Sequence, residues 1–312
     1  MRFGAAFWIN RTDWPSLRDA CLAVERAGWD SLWVDDHLLA DEGDPTDAKL
    51  EGWATLSALA VLTERVRLGL LVGANTFRNP GLTAKLATTV DHLSEGRLVL
   101  GLGGGWFERE HEAFGIDFGS GFGERLDRLD EASGLIRRLL DGERVSHEGR
   151  FYRMHDAICE PRPVQARLPI LIGGSGPTKT LRTTARDADL WNAYGSTERI
   201  AATSEILRER CAEIGRPFEA IERTVTIHAV VRDHAATATE AWDEISRIHD
   251  LADRKGSDGG DRGLSVGGSP GEVAAYVDGY RRIGVAEVIV VFRSPFDLET
   301  IERIGEVRAA LA

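Results

Sequence analysis

Short runs of consecutive aliphatic or β-branched residues, each followed by a stretch with helical spacing, constrain the fold of this chain more than any other feature. Eight such runs occur, at residues 2–7, 31–34, 66–72, 98–102, 168–172, 190–192, 225–231 and 288–292. They are continuous rather than alternating in polarity, as expected for parallel strands covered on both faces. The pattern predicts an α/β fold, a (β/α)8 TIM barrel, with residues 1–312 forming a single domain.

The predicted helices are bounded by residues that commonly begin or end helices. Asp13 precedes the first helix and Gly28 follows it, while Pro177 and Pro270 each stand at a predicted helix start. Residues 269–272, Ser-Pro-Gly-Glu, have the spacing of a capping box. These signals place helices between the strands, as a parallel barrel requires.

The connection between the fourth and fifth runs is far longer than the usual βα loop of about 2–6 residues, so it predicts an inserted segment at about residues 106–168. Residues 124–140 have an apolar face and predict a helix within it. Residues 145–152 and 157–164 predict a hairpin or irregular segment that closes over the barrel. A second candidate mobile segment, residues 253–268, is rich in glycine and charge.

Composition and charge narrow the class of function. The chain has 50 acidic and 38 basic residues and a net charge of -12, which disfavours nucleic-acid binding. No apolar run is long enough to span a membrane and the start has no signal-peptide pattern, so we expect a cytoplasmic protein that acts on a small molecule. The cysteines, Cys21, Cys159 and Cys211, have no metal-binding spacing.

Residues that follow barrel strands are the first candidates for chemistry, because barrel enzymes carry their active sites at the C-terminal ends of the strands. Asp35, Asp36 and His37 follow the second run. An imidazole beside carboxylates at this position is a candidate general acid or base, and a histidine that only bonds a loop is the alternative. We take His37 as the catalytic candidate.

Small residues follow the third and fourth runs. Gly73 and Ala74 allow a flat ring to approach the backbone, although a tight turn would use the same residues. Residues 101–105, Gly-Leu-Gly-Gly-Gly, precede Trp106 and lack the spacing of a Rossmann fingerprint. Residues 108–111, Glu-Arg-Glu-His, are interpreted as a solvated helix face and not as a metal site.

The fifth run leads directly into Gly173-Gly174-Ser175-Gly176-Pro177-Thr178 and then into a helix. Converging backbone N–H groups at such a turn predict an anion site suited to the phosphate of a cofactor. An ordinary glycine-rich βα turn is the alternative. Lys179 and Arg182 are nearby candidate partners for an acidic cofactor tail.

Taken in order, these segments resemble the luciferase-like monooxygenase superfamily, and within it the branch that uses coenzyme F420, a deazaflavin. The resemblance covers nearly the whole chain. Its carriers are GWDSLW at 28–33 leading to Asp36-His37, TFRNP at 76–80, LSEGR at 93–97, GLGGGW at 101–106, GRFY at 149–152, PRPVQ at 161–165 and PILIGG at 169–174.

The resemblance implies a barrel with an inserted segment, an oxidoreductase activity, bound coenzyme F420 and a homodimer. It implies that His37 handles a proton beside the deazaflavin and that Leu71–Val72 is a non-prolyl cis peptide behind the ring. The predicted cofactor-binding residues are Asp36, Leu71, Val72, Gly73, Ala74, Gly104, Gly105, Arg109, Gly174, Ser175, Gly176 and Thr178.

The chain also departs from the family pattern. Sugar-phosphate dehydrogenases of this branch carry a glutamate where Trp106 stands, so their substrate class does not transfer. Arg109 replaces a small amide. Trp8, Trp106 and Trp191 are predicted to form an aromatic wall for a flatter or more apolar substrate.

The predicted reaction is hydride transfer between the deazaflavin and a small organic substrate. The alternative with the same fold is an FMN-dependent two-component monooxygenase of the alkanesulfonate or luciferase type. A metal-dependent barrel hydrolase would need ligands after several strands, and only His37 and His228 qualify.

Overall fold

Eight parallel strands close into a barrel in the computed structural model, which describes residues 1–251 and 263–312. Around the barrel the order is β3-β2-β1-β13-β10-β9-β8-β5, and β5 pairs with β3 to close it. The strands are β1 (Arg2–Phe7), β2 (Ser31–Val34), β3 (Arg67–Leu70), β4 (Gly73–Ala74), β5 (Leu98–Gly103), β6 (Val145–Glu148), β7 (Arg153–Ala157), β8 (Ile170–Gly173), β9 (Leu190–Tyr194), β10 (Glu222–Ile227), β11 (Ala229–Val231), β12 (Val266–Gly268) and β13 (Glu287–Phe292). Every predicted run overlaps a barrel strand, so the predicted TIM barrel is confirmed.

Helices surround the barrel in the described part of the chain. They are α1 (Trp14–Ala27), α2 (Gly52–Leu62), α3 (Pro80–Leu93), α4 (Glu108–Phe114), α5 (Phe122–Leu140), α6 (Thr180–Asp187), α7 (Thr197–Glu213), α8 (Ala235–Ile248), α9 (Pro270–Arg282), α10 (Leu298–Glu302) and α11 (Ile304–Leu311). The side chain of Asp13 caps α1, Gly28 ends it in the left-handed conformation, and the capping box before α9 is present. The prediction at Pro177 is wrong, since α6 begins at Thr180.

The barrel interior is filled by the indole of Trp33, which is fully buried. A glycine on the neighbouring strand β3 makes room for it. A Cβ on Gly69 would lie 2.6 Å from the indole and would also collide with the carbonyl of Val99. Ala6, Val99, Leu171 and Ile289 complete this inner layer, so the barrel is a packed core and its chemistry must lie at an end.

The segment between β5 and β8 holds α4, α5 and the antiparallel hairpin β6–β7. The predicted helix and hairpin are therefore both present. The prediction that this segment closes over the barrel is wrong for its last part. The side chain of Gln165 donates to Asp91 of α3 and to the carbonyl of Leu98, the first residue of β5. The chain thus descends along the outside of the barrel towards its N-terminal end.

Residues 253–262 of the predicted mobile segment 253–268 lie outside the described residues. Its last three residues form β12, which pairs in parallel with β11. Within the described ranges, no helix has the length and apolar character required to cross a bilayer.

Candidate active site

The C-terminal ends of the strands gather the residues singled out by the sequence. His37 follows β2, Gly104 and Gly105 follow β5, and the segment 174–178 follows β8. Leu71 and Val72 separate β3 from β4. Because the strands are parallel, all of these segments meet at one mouth of the barrel.

His37 is held by two carboxylates from different parts of the chain. Its Nδ1 lies 2.9 Å from Oε1 of Glu110 in α4, and its Nε2 lies 3.9 Å from Oδ2 of Asp41. The side chain of His37 is 14 % exposed, and that of Glu110 is 1 % exposed. The imidazole is therefore fixed in orientation and still reaches the mouth.

The surroundings of His37 favour its protonated form. Burial by itself would lower the pKa of His37, and Lys49 also lowers it. The charge of Asp41 and the hydrogen bond to Glu110 outweigh these effects, so the pKa is raised above its ordinary value of 6.5. A histidine whose pKa is raised can deliver a proton as well as accept one.

Asp36, predicted to contact the cofactor, supports the neighbouring backbone. Its carboxylate accepts the N–H of Ala74 at 3.0 Å and two bonds from the guanidinium of Arg78, at 2.6 and 3.0 Å. Arg78 also pairs with Glu51 at 2.7 Å. Asp36 thus holds the segment 73–74 from behind, in a buried ion pair.

The peptide bond Leu71–Val72 is cis, as the family resemblance implied. The side chain of Val72 points between two glycines of neighbouring strands. A Cβ on Gly103 would lie 2.6 Å from Val72, and a Cβ on Gly173 would lie 3.0 Å from it. Because Gly103 and Gly173 lack side chains, Val72 packs between the two strands and projects between them at the mouth.

The loop 173–178 is braced from below and approached by a cation. The indole N–H of Trp191 donates to the carbonyl of Gly174 at 2.7 Å, and Gly174 has φ +119°. The guanidinium of Arg199 in α7 lies 3.4 Å from the hydroxyl of Ser175. A hydroxyl and a guanidinium therefore meet at this loop, a pairing suited to an anion. The sequence analysis did not single out Arg199.

The cations predicted to bind an acidic tail have other partners. The ammonium of Lys179 pairs with Asp127 at 2.5 Å and bonds the carbonyl of Gly123 at 2.9 Å. Arg182 lies 3.9 Å from Asp130. These bonds tie α6 to α5, so the structure gives Lys179 and Arg182 a role in packing. Arg109 is exposed on α4.

The three tryptophans predicted to form an aromatic wall are not equivalent. Trp106 is 36 % exposed and stacks on Phe107 with ring centroids 5.3 Å apart. The planes of the Trp106 and His37 rings are nearly perpendicular, at 79°. Trp8 is 9 % exposed and belongs to the barrel interior. Trp191 is fully buried beneath the loop 173–178 and offers no surface to a substrate. Trp106 and Phe107 therefore form the accessible aromatic surface next to His37.

The interpretation of residues 108–111 as a solvated helix face is wrong for half of them. Glu110 and His111 are buried, whereas Glu108 and Arg109 are exposed. His111 contacts the hydroxyl of Thr76 at 2.7 Å and donates to the carbonyl of Phe107 at 2.8 Å. The helix α4 has only seven residues, and its two buried residues are adjacent. The sequence therefore has no helical periodicity that would predict their burial.

Asp35, His37 and Asp41 bring ligand atoms within 4.8 Å of one another, a set that could in principle hold a metal ion. The ammonium of Lys49 forms an ion pair with Asp35, however, and His37 is bound to Glu110. Since a lysine already supplies the positive charge there, we do not propose a metal at this position.

A cavity of about 600 Å³ opens at the opposite end of the barrel, lined among others by Arg67, Leu190 and Glu222, the first residues of three strands. None of the predicted site residues lines it. Its position at the N-terminal ends of the strands, where barrel enzymes do not carry their chemistry, separates it from the mouth.

Comparison with known proteins agrees with this geometry. The family model described as luciferase-like monooxygenase matches residues 2–287. An F420-dependent glucose-6-phosphate dehydrogenase from Kineococcus radiotolerans is 32% identical over 310 residues, covering 89% of this chain and 87% of the relative. A phthiodiolone/phenolphthiodiolone dimycocerosates ketoreductase from Mycobacterium tuberculosis is 35% identical over 200 residues, which cover 57% of this chain and 51% of the relative.

Solved structures share the fold at low identity. A structure described as an F420-dependent secondary alcohol dehydrogenase in complex with an F420-acetone adduct superposes with a TM-score of 0.84 at 19% identity, covering 100% of this chain and 99% of the other. The long-chain alkane monooxygenase LadA superposes with a TM-score of 0.81 at 17% identity, covering 100% and 91%. These likenesses concern the barrel alone.

Proposed function

The chain belongs to the luciferase-like monooxygenase family of oxidoreductases, and from this membership we propose that it is an F420-dependent oxidoreductase that transfers a hydride between the deazaflavin and a small organic substrate. The single observation that carries the proposal is the arrangement at the barrel mouth. The projection of Val72 between two glycines, the loop 173–178 and the side chain of His37 lie at the C-terminal ends of barrel strands.

The residues present fit such a cofactor. Val72, which packs between Gly103 and Gly173, offers an apolar surface against which a flat ring can lie, and Gly105 has φ +75°, a conformation that glycine adopts without strain. The loop 173–178 with Arg199 offers donors for the cofactor's phosphate. When bound, the deazaflavin supplies two-electron hydride chemistry, and the protein supplies orientation and electrostatics.

The side chains of the mouth divide the remaining work. Asp36 and Arg78 hold the backbone at 73–74, directly after Val72, in place. Trp106 and Phe107 cover the approach to His37 with apolar surface that excludes water. His37, which packs against these two aromatic rings, would hold the proton that accompanies the hydride.

The aromatic surface at Trp106 favours a carbonyl or alcohol substrate with an apolar body over a sugar phosphate. The named activities of two relatives, a ketoreductase and a secondary alcohol dehydrogenase, interconvert a carbonyl and an alcohol. The same pair of groups suits a site with one proton-carrying imidazole. We therefore propose a carbonyl–alcohol pair as the reacting groups.

Binding of purified coenzyme F420 tests the cofactor proposal directly. We expect F420 to bind with quenching of its fluorescence, and FMN at the same concentration to bind more weakly. A protein that binds FMN and not F420 would favour the alternative, an FMN-dependent two-component monooxygenase. A protein that binds neither would end the proposal.

We also propose that the chain forms a homodimer through α2 and α3. Between Glu51 and Glu64 the sequence of α2 has no charged residue, and Val61 and Leu62 on it are 61 % and 40 % exposed. Leu93, at the end of the neighbouring α3, is 41 % exposed. An apolar surface of this kind on a chain with net charge -12 supports burial against a second copy.

A further inference from the structure

Glu110 stands apart from the other buried carboxylates of the mouth because, among the residues that the structure describes, its only cationic partner is an imidazole. Asp36 pairs with Arg78, Asp35 with Lys49, and Glu42 with Arg293. Within the described parts of the chain, no Lys or Arg nitrogen lies within 4 Å of Glu110. A carboxylate that is 1 % exposed is costly unless it is compensated, so Glu110 depends on His37 for a positive charge.

Glu110 is fixed in place by its own helix and by the loop that carries His37. Its Oε2 accepts the N–H of Leu38 at 2.7 Å, while Oε1 faces Nδ1 of His37 at 2.9 Å. The next residue, His111, is fully buried and bonded to Thr76 and to the carbonyl of Phe107, which fixes the register of α4. One carboxylate thus bonds both the backbone and the ring of the same loop.

The direction of these hydrogen bonds assigns the ring nitrogens. An ionised carboxylate has no hydrogen to donate, so the hydrogen between Nδ1 of His37 and Oε1 of Glu110 belongs to Nδ1. Nε2 is then the nitrogen that gains and loses a proton. In the neutral ring the hydrogen stays on Nδ1, and Nε2 has a free lone pair.

We infer that Glu110 is the positioning residue for His37: it retains the proton of Nδ1 and thereby makes Nε2 the atom that exchanges a proton with the substrate oxygen. This inference rests on the proposed function for its substrate, but the assignment of the nitrogens does not. It gives α4, in the inserted segment, a defined place in the active site.

Proton transfer from Nε2 would complete the reduction of a carbonyl substrate. In the reducing direction a hydride from the reduced cofactor adds to the carbonyl carbon, the π pair of the C=O bond moves to oxygen, and the oxygen takes the proton of Nε2. The products are an alcohol, the oxidised cofactor and a neutral imidazole that keeps its hydrogen on Nδ1. Oxidation of the alcohol runs the same transfers in reverse.

The charged groups around His37 determine how the imidazolium responds to pH. Asp41 and Glu110 favour the cation, whereas Lys49 opposes it, and Asp35 is also coupled to His37 and Lys49. Removing the charge of Glu110 while keeping its shape should therefore weaken proton binding at His37 and release the preference for Nδ1. Glu110→Gln makes this change.

Nuclear magnetic resonance of the ¹⁵N-labelled, cofactor-free protein tests the inference without any substrate. In the wild type we expect neutral His37 to carry its hydrogen on Nδ1, and its pKa to lie above the ordinary value. In Glu110→Gln we expect proton affinity at His37 to fall about tenfold and both neutral tautomers to appear. His37→Asn assigns the resonances among the eight histidines.

Two further variants keep the test sharp. Glu112→Gln changes an exposed carboxylate on the same helix and should leave the tautomer and the titration of His37 unchanged. Asp41→Asn should lower the pKa of His37 but leave the hydrogen on Nδ1. If the neutral wild-type ring carries its hydrogen on Nε2, or if folded Glu110→Gln titrates as the wild type does, the inference is overturned.

Kinetics give an independent readout once a substrate is found. The rate of carbonyl reduction should fall as pH rises through the pKa of His37, and Glu110→Gln should move this fall to lower pH. The affinity for F420 should stay unchanged in that variant. A failure of F420 to bind would remove the proposed function but would leave the assignment of the nitrogens standing.

Discussion

At the scale of single residues, Trp33 and Gly69 show how side-chain size determines the barrel interior. Trp33 comes from β2 and is fully buried, and Gly69 on β3 provides the space for its ring. The sequence places both residues in strands, but it does not reveal that they lie face to face. The pairing appears only when the sheet is closed.

Gly69→Ala should destabilise the protein. The added Cβ would lie 2.6 Å from the indole of Trp33 and would collide with the carbonyl of Val99, so one of them must move. Overpacking of this kind costs about 1–3 kcal/mol in the free energy of unfolding, which urea denaturation would measure.

The control is Gly271→Ala in α9. A Cβ there meets nothing within 4 Å, so the variant should be as stable as the wild type or slightly more stable. A Gly69→Ala protein that unfolds at the same urea concentration as Gly271→Ala would show that the barrel interior is less tightly packed than the structure indicates.

At the scale of elements, the loop after β8 shows which part of a site sequence reasoning can find. The glycines and Ser175 are adjacent in sequence, so the loop could be predicted as an anion site from its composition. Arg199 lies in the next helix, α7, and basic residues on helices are usually solvated. Only the packing of α7 beside the loop brings its guanidinium to Ser175.

Arg199→Met should weaken binding of F420. A hydrogen bond to a charged group contributes about 1.5–3 kcal/mol. We therefore expect the dissociation constant for F420 to rise at least tenfold. The difference from the wild type should shrink at high salt, because part of it is electrostatic. Fluorescence quenching measures both effects.

Arg208→Met is the matched control for this prediction. Arg208 lies on the same helix but pairs with Glu205 and Glu219, and it lines the cavity at the opposite end of the barrel. It should leave the affinity for F420 unchanged. Equal affinities of the Arg199→Met variant and the wild type would mean that the phosphate lies elsewhere.

At the scale of the whole molecule, the apolar surface of α2 and α3 predicts the state of assembly. The C-terminal ends of these helices are adjacent, since the guanidinium of Arg97, just beyond α3, bonds the carbonyls of Ala60 and Thr63 at the end of α2. Val61, Leu62 and Leu93 are exposed apolar residues at these adjacent helix ends.

Light scattering should give about twice the monomer mass of 34.2 kDa for the wild type. Val61→Glu places a charge in the centre of the proposed interface and should shift the protein towards monomer. Ile214→Glu, at an exposed apolar residue far along the chain, should remain dimeric. A monomeric wild type would contradict the proposal.

The sequence alone determined the strand order, the barrel and the segments that reach its mouth, because strand and helix patterns are local and parallel strands with helical connections have few ways to close. It also placed His37, the cis peptide and the loop 173–178, by family resemblance and local composition. The tertiary structure alone decided which partners these groups have. Glu110 bonds His37, which is 73 residues away in sequence, and Arg199 contacts Ser175, which is 24 residues away. Lys179 pairs with Asp127. Charge and burial at the site depend on such distant contacts, and a linear pattern carries no record of them.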